Sequence, residues 1–505
     1  MAARPRQAAD VSDGRKTQHP AAQRLTALWR ARDYAGMLAE RWPLICTVAV
    51  DGQSICDVVP VFLQECPREL QAQHPIAMLR LVYLLFYDGK RQQADELMQA
   101  IRCDIEAVAD KGTQRVLLSE WTFVASLLNY PNIEEMLRML RQADKLSDGR
   151  VTVMNADDPF LIYVTNPYAV FHTVAGKADA QGKMFAQFVA IYEKLTDGGG
   201  CGAAELYYAG LCYNRGDFRQ AGLLCYKAAY LAESTGQVSL QMGAANHLAR
   251  IGIHKMDMDT FSQATDMLVQ ASTTRPEDSL MINQMLEYER NDLYFEVPVI
   301  EFTPLWVKKG MLKHLSAVLQ HFLKLMQMRY FFYNANYEQC IGLGEALLCR
   351  SGNFGVLLHA LIGMYVAFAY MQLGHSEQGD EMFKHYFPML FKDKLYLVFA
   401  YFYEVMDGAL DDYLKKEYPE DVEAIFQIMK DIKMGRMQFM STYLEEGNNL
   451  SGKERAVAEL AAQGMQNKEI SKTLGISANT VRSHLRKVFD KLEISRRGEI
   501  SERLK

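Results

Sequence analysis

The chain has 505 residues, 49% of them hydrophobic and 11% aromatic, with a formal net charge of −6. That length can bury a large core in more than one domain, and the composition is that of a globular protein. Nine Cys with no Cys-x-x-Cys pair argue against a disulfide framework or a thiolate zinc site, and point to reduced thiols in a cytoplasm.

In chain order, Met1 to Pro20 is polar and Arg-containing without an apolar run, so it reads as a disordered tail over 1–20 and not as a signal peptide. From Ala21 to about residue 440 a helix, turn, helix pattern recurs. The clearest copy runs from Gly202 to Gly236. Tyr208, Ala209 and Tyr213 share one helix, Arg215-Gly216-Asp217-Phe218 makes the turn, and Ala221, Cys225 and Ala228 face back from the next helix. Small residues let the two helices approach closely, and Phe218 wedges them. This resembles a tetratricopeptide unit of about 34 residues. Copies with a turn residue followed by a small residue five positions on are Gly89 to Ala94, Asp259 to Ala264, Ala335 to Cys340 and Gly374 to Gly379. Phe261 and Tyr337 are assigned the wedge role of Phe218, and a degenerate early copy centres on Asp33-Tyr34. Such units cover one another's apolar faces, so the expected fold is all-α, a tetratricopeptide-like α-solenoid.

Two stretches fit the pattern less well. Asp158-Pro159, Asn166-Pro167 and the Gly198-Gly199-Gly200 run punctuate the region from Asp157 to Gly202, and Pro298 and Pro304 flank another break. Val356 to Leu373 is apolar for nearly the length of a membrane span. Its Ala360, Gly363, Ala367 and Ala369, and the amphipathic helix that follows Gly374, favour a buried repeat helix and no membrane.

Residues 441–449, ending in Glu445-Glu446-Gly447-Asn448-Asn449, read as a polar link to a last domain over 450–505. There Ser451-Gly452-Lys453-Glu454 has the form of a capping box. The next helix carries Val457, Leu460 and Ala461 on one face and stops at Gly464. Asn467 is the expected N-cap of a short helix through Leu474. Gly475 closes that helix, Ile476 plugs the turn, and Ser477 caps a third helix over about 478–492. Val481, Leu485, Val488 and Leu492 repeat at 4, 3 and 4 and form one buried stripe. Arg482, Ser483, Arg486 and Lys487 fall outside it.

A short helix, a tight turn and a long helix with a basic outer face suit the major groove. Arg482 and Arg486 lie one turn apart and can both reach base edges. Lys468, Asn479, Thr480, Lys487 and Lys491 are placed for phosphates, which position without specifying. Residues 450–505 hold 12 Lys and Arg against 7 Asp and Glu, a net of +5, and the rest of the chain holds 43 against 54, a net of −11. A basic module on an acidic body is an electrostatic footprint for nucleic acid.

Leu450-Ser451, Glu454, Gly464, Asn467-Lys468-Glu469-Ile470, Leu474, Ile476-Ser477, Thr480-Val481, His484, Lys491-Leu492, Ser495 and Arg497 resemble the LuxR/FixJ family of bacterial transcription regulators. The resemblance implies a four-helix helix-turn-helix domain whose third helix enters the major groove and whose fourth often makes a homodimer. It places Arg482, Ser483 and Arg486 at base-facing positions and Lys468 and Thr480 at backbone-facing ones. Ile500 and Leu504 form the apolar face of the final helix. The chain departs from the family at Gly452, where Pro is usual, and at Gly498, where Thr is usual. The repeats, through Leu195-Thr196-Asp197-Gly198, Gly202-Ala203-Ala204-Glu205 and Gly216-Asp217-Phe218, are similar to the helical region of the large maltose-activator-type LuxR regulators. That resemblance implies a sensor role, without the ATP-binding module those regulators carry.

Sites for chemistry are not legible. Gly447 through Gly452-Lys453 has the spacing of a phosphate loop, but Glu454 stands where Ser or Thr must hold magnesium. His314 and His321 are two helical turns apart without a third ligand, and no Gly-x-Ser-x-Gly elbow occurs. No enzyme activity, cofactor or metal is expected. The chain reads as a cytoplasmic transcription regulator that binds promoter DNA, takes a small-molecule or protein effector, and meets RNA polymerase if it activates. The competing reading is a helical-repeat interaction scaffold with secondary, non-specific DNA binding.

Overall fold

The computed structural model describes residues 19–505 apart from 46, 163, 275–278, 297–302, 304, 311–316, 350–354, 407–408, 447–451, 475–477, 493, 495 and 501–505. The fold is all-α. Among the described residues the strands are two residue pairs, Ala49–Val50 against Gln53–Ser54, joined through Asp51 and Gly52, both at positive φ. Contacts divide the chain into two units, one of Thr17–Ile432 and one that holds Lys433–Lys505.

The larger unit is a succession of paired helices. Pro75–Tyr87 packs on Arg91–Glu106, Lys111–Leu127 on Ile133–Leu146, Ala203–Asn214 on Phe218–Ser234, Val238–Lys255 on Met258–Thr273, and Val356–Gln372 on Ser376–Phe391. The turns repeat in atomic detail. A residue with left-handed φ stands at Arg32, Gly89, Gly216, Met256, Ala335 and Gly374. The amide after it donates back across the turn, as Lys90 does to Leu85, Asp217 to Cys212, Asn336 to Phe331 and His375 to Tyr370, each at 2.9 Å. This is the Schellman closure, and it satisfies a carbonyl the helix end would otherwise leave open. Asp217 then caps the next helix by accepting from the Gln220 amide at 3.0 Å.

The small residue of each copy falls at the fourth position of the second helix and is buried, at Ala94, Ala221, Cys340 and Gly379. A Cβ on Gly379 would meet the Ala367 carbonyl at 2.8 Å, which shows how near the helices come. The fifth copy is shifted by one turn. Its left-handed residue is Met256 and its cap is Asp257, so Asp259 lies inside the helix and Phe261, not Ala264, takes the fourth position. Phe261 is therefore no counterpart of Phe218. The close approach is made from the other side, where a Cβ on Gly252 would meet the Phe261 amide nitrogen at 2.8 Å. Tyr337 does occupy the position of Phe218, at the first turn of Tyr337–Leu348.

Val356–Gln372 is a buried repeat helix; Gly363 sits so close to the Tyr386 ring that a Cβ would come within 2.2 Å of it. Among the described residues no helix is long and apolar enough to cross a membrane. Every described Cys is a free thiol. The region after Asp157 is irregular, with a 3-10 turn at Phe160–Ile162, a short helix Pro167–Phe171, and positive φ at Asp197, Gly198, Gly200 and Gly202.

Charges are buried here in closed networks. Arg80, 3% exposed, pairs with Asp158 at 2.8 Å. Arg250 and His254 both reach the fully buried Glu296. Asp393 accepts from the Ala178 amide at 3.0 Å and lies 2.8 Å from His172. Tyr207 is fully buried, and its hydroxyl donates to the Ala178 carbonyl at 2.9 Å, so it belongs to the core and not to a groove wall.

The helix Val422–Glu446 takes in residues 441–446, where the sequence suggests a link; 447–449 lie outside the described residues.

Candidate nucleic-acid interface

The last unit builds a compact three-helix scaffold from Gly452–Ala462, Asn467–Leu474 and Ala478–Leu492, followed by a 3-10 turn at Arg497–Glu499. Val457, Ala458, Ala461, Ile470, Val481, Leu485, Val488, Leu492 and Ile500 form one core, each no more than 6% exposed. The 4, 3, 4 spacing of the third helix thus delivers its stripe inward. Leu460, Leu474, Met465 and Phe489 pack against the cluster from its edge. Gly464 takes φ +87, and the Met465 amide donates to the Leu460 carbonyl at 3.2 Å, so the first helix ends in the same closure as the repeats.

The start of the second helix differs from the expected cap. Asn467 is its first residue, and Gln466 precedes it as the cap. The Glu469 carboxylate accepts from the Gln466 amide at 2.6 Å. The Asn467 side-chain oxygen is taken by Arg497, which donates to it at 2.7 Å and also donates to the Met465 carbonyl. Arg497 therefore braces the turn between the first two helices from the last turn of the domain. The Glu499 carboxylate accepts from the Arg496 amide at 3.3 Å and holds that last turn in place. Sequence reasoning placed Arg497 within the family motif without giving it a task.

With the stripe buried, Arg482, Ser483, Arg486 and Lys487 stand exposed on the opposite face of Ala478–Leu492. Thr480 is exposed at its first turn and Lys468 on the second helix. The side chains of Asn479 and Lys491 lie outside the described residues, as do Ser451, Gly475, Ile476, Ser477 and Leu504. Glu454 is buried, 4% exposed. His484 is half-buried, and its Nδ1 is enclosed without a hydrogen-bond partner, so one ring edge packs inward. Ile500, expected on the apolar face of the final helix, is fully buried in the domain core.

A helix with one apolar and one cationic face, set against two others that fix its tilt, can lie in a groove lined by phosphates and present side chains to base edges. Among the described residues no cluster of His, Cys, Asp and Glu could hold a metal ion. Residues 448–502 match the family described as bacterial regulatory proteins, luxR family. The chain is 32% identical over 108 residues to the transcriptional regulatory protein DesR of Bacillus subtilis (strain 168), a match that covers 21% of this chain and 54% of that protein. The chain thus spans about half the length of this curated relative. The helix-turn-helix of residues 448–502 is of the LuxR type.

Proposed function

We propose that this protein is a sequence-specific transcription regulator, with the helical unit 17–432 as its input and the LuxR-type domain as its output. The observation that carries the output half is the division of Ala478–Leu492. Val481, Leu485, Val488 and Leu492 are buried while Arg482, Ser483, Arg486 and Lys487 are exposed on the same helix. Arg482 and Arg486 read base edges in the major groove, with Ser483 between them, and each good bidentate pair discriminates by about 1–3 kcal/mol. Lys468, Asn479, Thr480, Lys487 and Lys491 hold phosphates and set the register.

For the input half, the likeness of the repeats to the helical region of the maltose-activator-type regulators supports a sensor role. A ligand or partner that prefers one arrangement of the repeats shifts whether the output domain engages its operator. The relative's printed name, a transcriptional regulatory protein, supports the same role. A homodimer matches a pseudo-palindromic operator. An activator contacts RNA polymerase.

Binding selection from a random duplex pool tests this on the full chain and on Arg482→Ala/Arg486→Ala. The expected result is an enriched motif that the double variant loses. Retention of duplex by both proteins with no motif in either sinks the reading and favours an interaction scaffold with non-specific DNA contact.

A further inference from the structure

A groove of about 550 Å³ opens among the helices Tyr34–Ala39, Arg68–Gln73, Pro75–Tyr87, Arg91–Glu106 and Lys111–Leu127. That is the size of a small-molecule site, roughly 300–1,000 Å³. Its walls are mainly apolar, with Leu38, Ala77, Ile105 and Leu117 among them, and Arg41, Arg80, Glu40 and Asp104 are its charged members.

The charges are not equivalent. Glu40 is held by Arg24 at 2.9 Å, and Asp104 by Arg68 at 2.6 Å. Arg80 uses all five of its N–H donors. Nε and Nη2 go to the Trp42 carbonyl, Nη1 to the Val153 carbonyl at 2.6 Å, and the terminal nitrogens to both oxygens of Asp158. Asp158 also accepts from the Asn155 amide and from Arg41, both on the oxygen that Arg80 Nη1 reaches. Arg41 is left partly served. Nη1 donates to the Thr152 carbonyl at 3.1 Å and Nη2 to Asp158. Among the described residues its Nε–H and a second N–H on each terminal nitrogen have no partner, and its side chain is 44% exposed.

We propose that this groove is the effector site of the helical unit and takes a small monocarboxylate with an apolar body, its carboxylate on Arg41. The planar guanidinium offers adjacent donors in the geometry a carboxylate accepts. The remaining donors of one guanidinium match a single carboxylate. The apolar walls take the body of the ligand out of water. Arg41 also holds Thr152 and Asp158, so a ligand on its remaining donors acts on the irregular segment 151–158.

This inference rests on the reading of residues 17–432 as the input unit, and the experiment separates the two. Calorimetry on the full chain compares 4-phenylbutyrate with 4-phenyl-1-butanol and 4-phenylbutylamine, in the parent, Arg41→Gln and Arg41→Lys. The acid is expected to bind once per chain, with the alcohol weaker by about tenfold or more, the scale of a lost hydrogen bond to a charged group. The amine should not bind. Arg41→Gln should weaken the acid by a similar factor, with Arg41→Lys between. Circular dichroism checks that each variant is folded. No binding of the acid, equal binding of acid and alcohol, or full affinity in folded Arg41→Gln would each overturn the site. Affinity for the selected operator is then measured with and without 4-phenylbutyrate. Acid that binds through Arg41 without changing DNA affinity leaves the groove standing and removes the input reading.

Discussion

The two units place their charges in opposite ways. In the helical unit Arg80, Asp158, Glu120 and Glu296 are at most 8% exposed and are satisfied by partners far away in sequence. In the LuxR-type domain Glu454 is buried, while the cations Arg482, Arg486 and Lys487 of Ala478–Leu492 are exposed outside the hydrophobic cluster. Buried ion pairs add little net stability over apolar packing, but they are unforgiving of loss of one partner. Exposed cations cost almost nothing to remove and are available to a polyanion. Substitution of a charge should therefore break the fold in one unit and the DNA contact in the other.

The strongest test of that contrast is Asp158→Ala. It strands the buried Arg80 guanidinium and part of Arg41, and should destabilise the helical unit by about 3–5 kcal/mol in denaturant unfolding. Next is the protonation state of Glu289, 3% exposed, one of whose oxygens has no hydrogen-bond partner among the described residues. Burial pushes its carboxyl up to about 8. The unfolded chain releases that proton first, so stability from this group is present below the usual carboxylate range and is lost as pH rises towards 8. Glu289→Gln should flatten that decline, stabilising the protein at pH 8 by roughly 2–4 kcal/mol and hardly at all near pH 4. A pH series of melting curves on both proteins decides it.

In the apolar core, Leu485→Ala should cost about 2–3 kcal/mol and abolish DNA binding only in proportion to the unfolded fraction. Arg482→Ala and Arg486→Ala should each lose about 1–3 kcal/mol of sequence discrimination while moving stability by no more than about 0.5 kcal/mol. Unfolding of either variant comparable to Asp158→Ala would erase the contrast between the units. The smallest effect belongs to Lys468→Ala, which should weaken all duplexes alike and lower the slope of log affinity against log salt by about 1.

What was legible in the sequence is what is local. The stripe Val481, Leu485, Val488, Leu492 is set by helical period alone, and the structure buries it. The turns at Gly89, Gly216, Ala335 and Gly374 announce themselves through a small residue five positions on, and all four take left-handed φ. The Asp51-Gly52 hairpin turn is local too, yet it was missed in the sequence. What was not legible depends on partners distant in the chain. Asn467 has the right chemistry for a cap, but Arg497, thirty residues on, takes its oxygen. Ile500 looks like an exposed apolar edge until the three preceding helices supply a core for it. Arg80 and Asp158 are 78 residues apart, and Arg41 and Asp158 are 117 apart, so no spacing rule connects them or reveals the groove that Arg41 and Arg80 border.

The shifted fifth copy has a consequence for how such arrays tolerate change. At Ala203–Asn214 and Phe218–Ser234 the narrow residue, Ala221, is on the second helix; at Val238–Lys255 and Met258–Thr273 it is Gly252 on the first, opposite Phe261. The narrow residue of a crossing therefore sits on either of its two helices. Two arrays can then share every crossing and agree at none of the residues that make it.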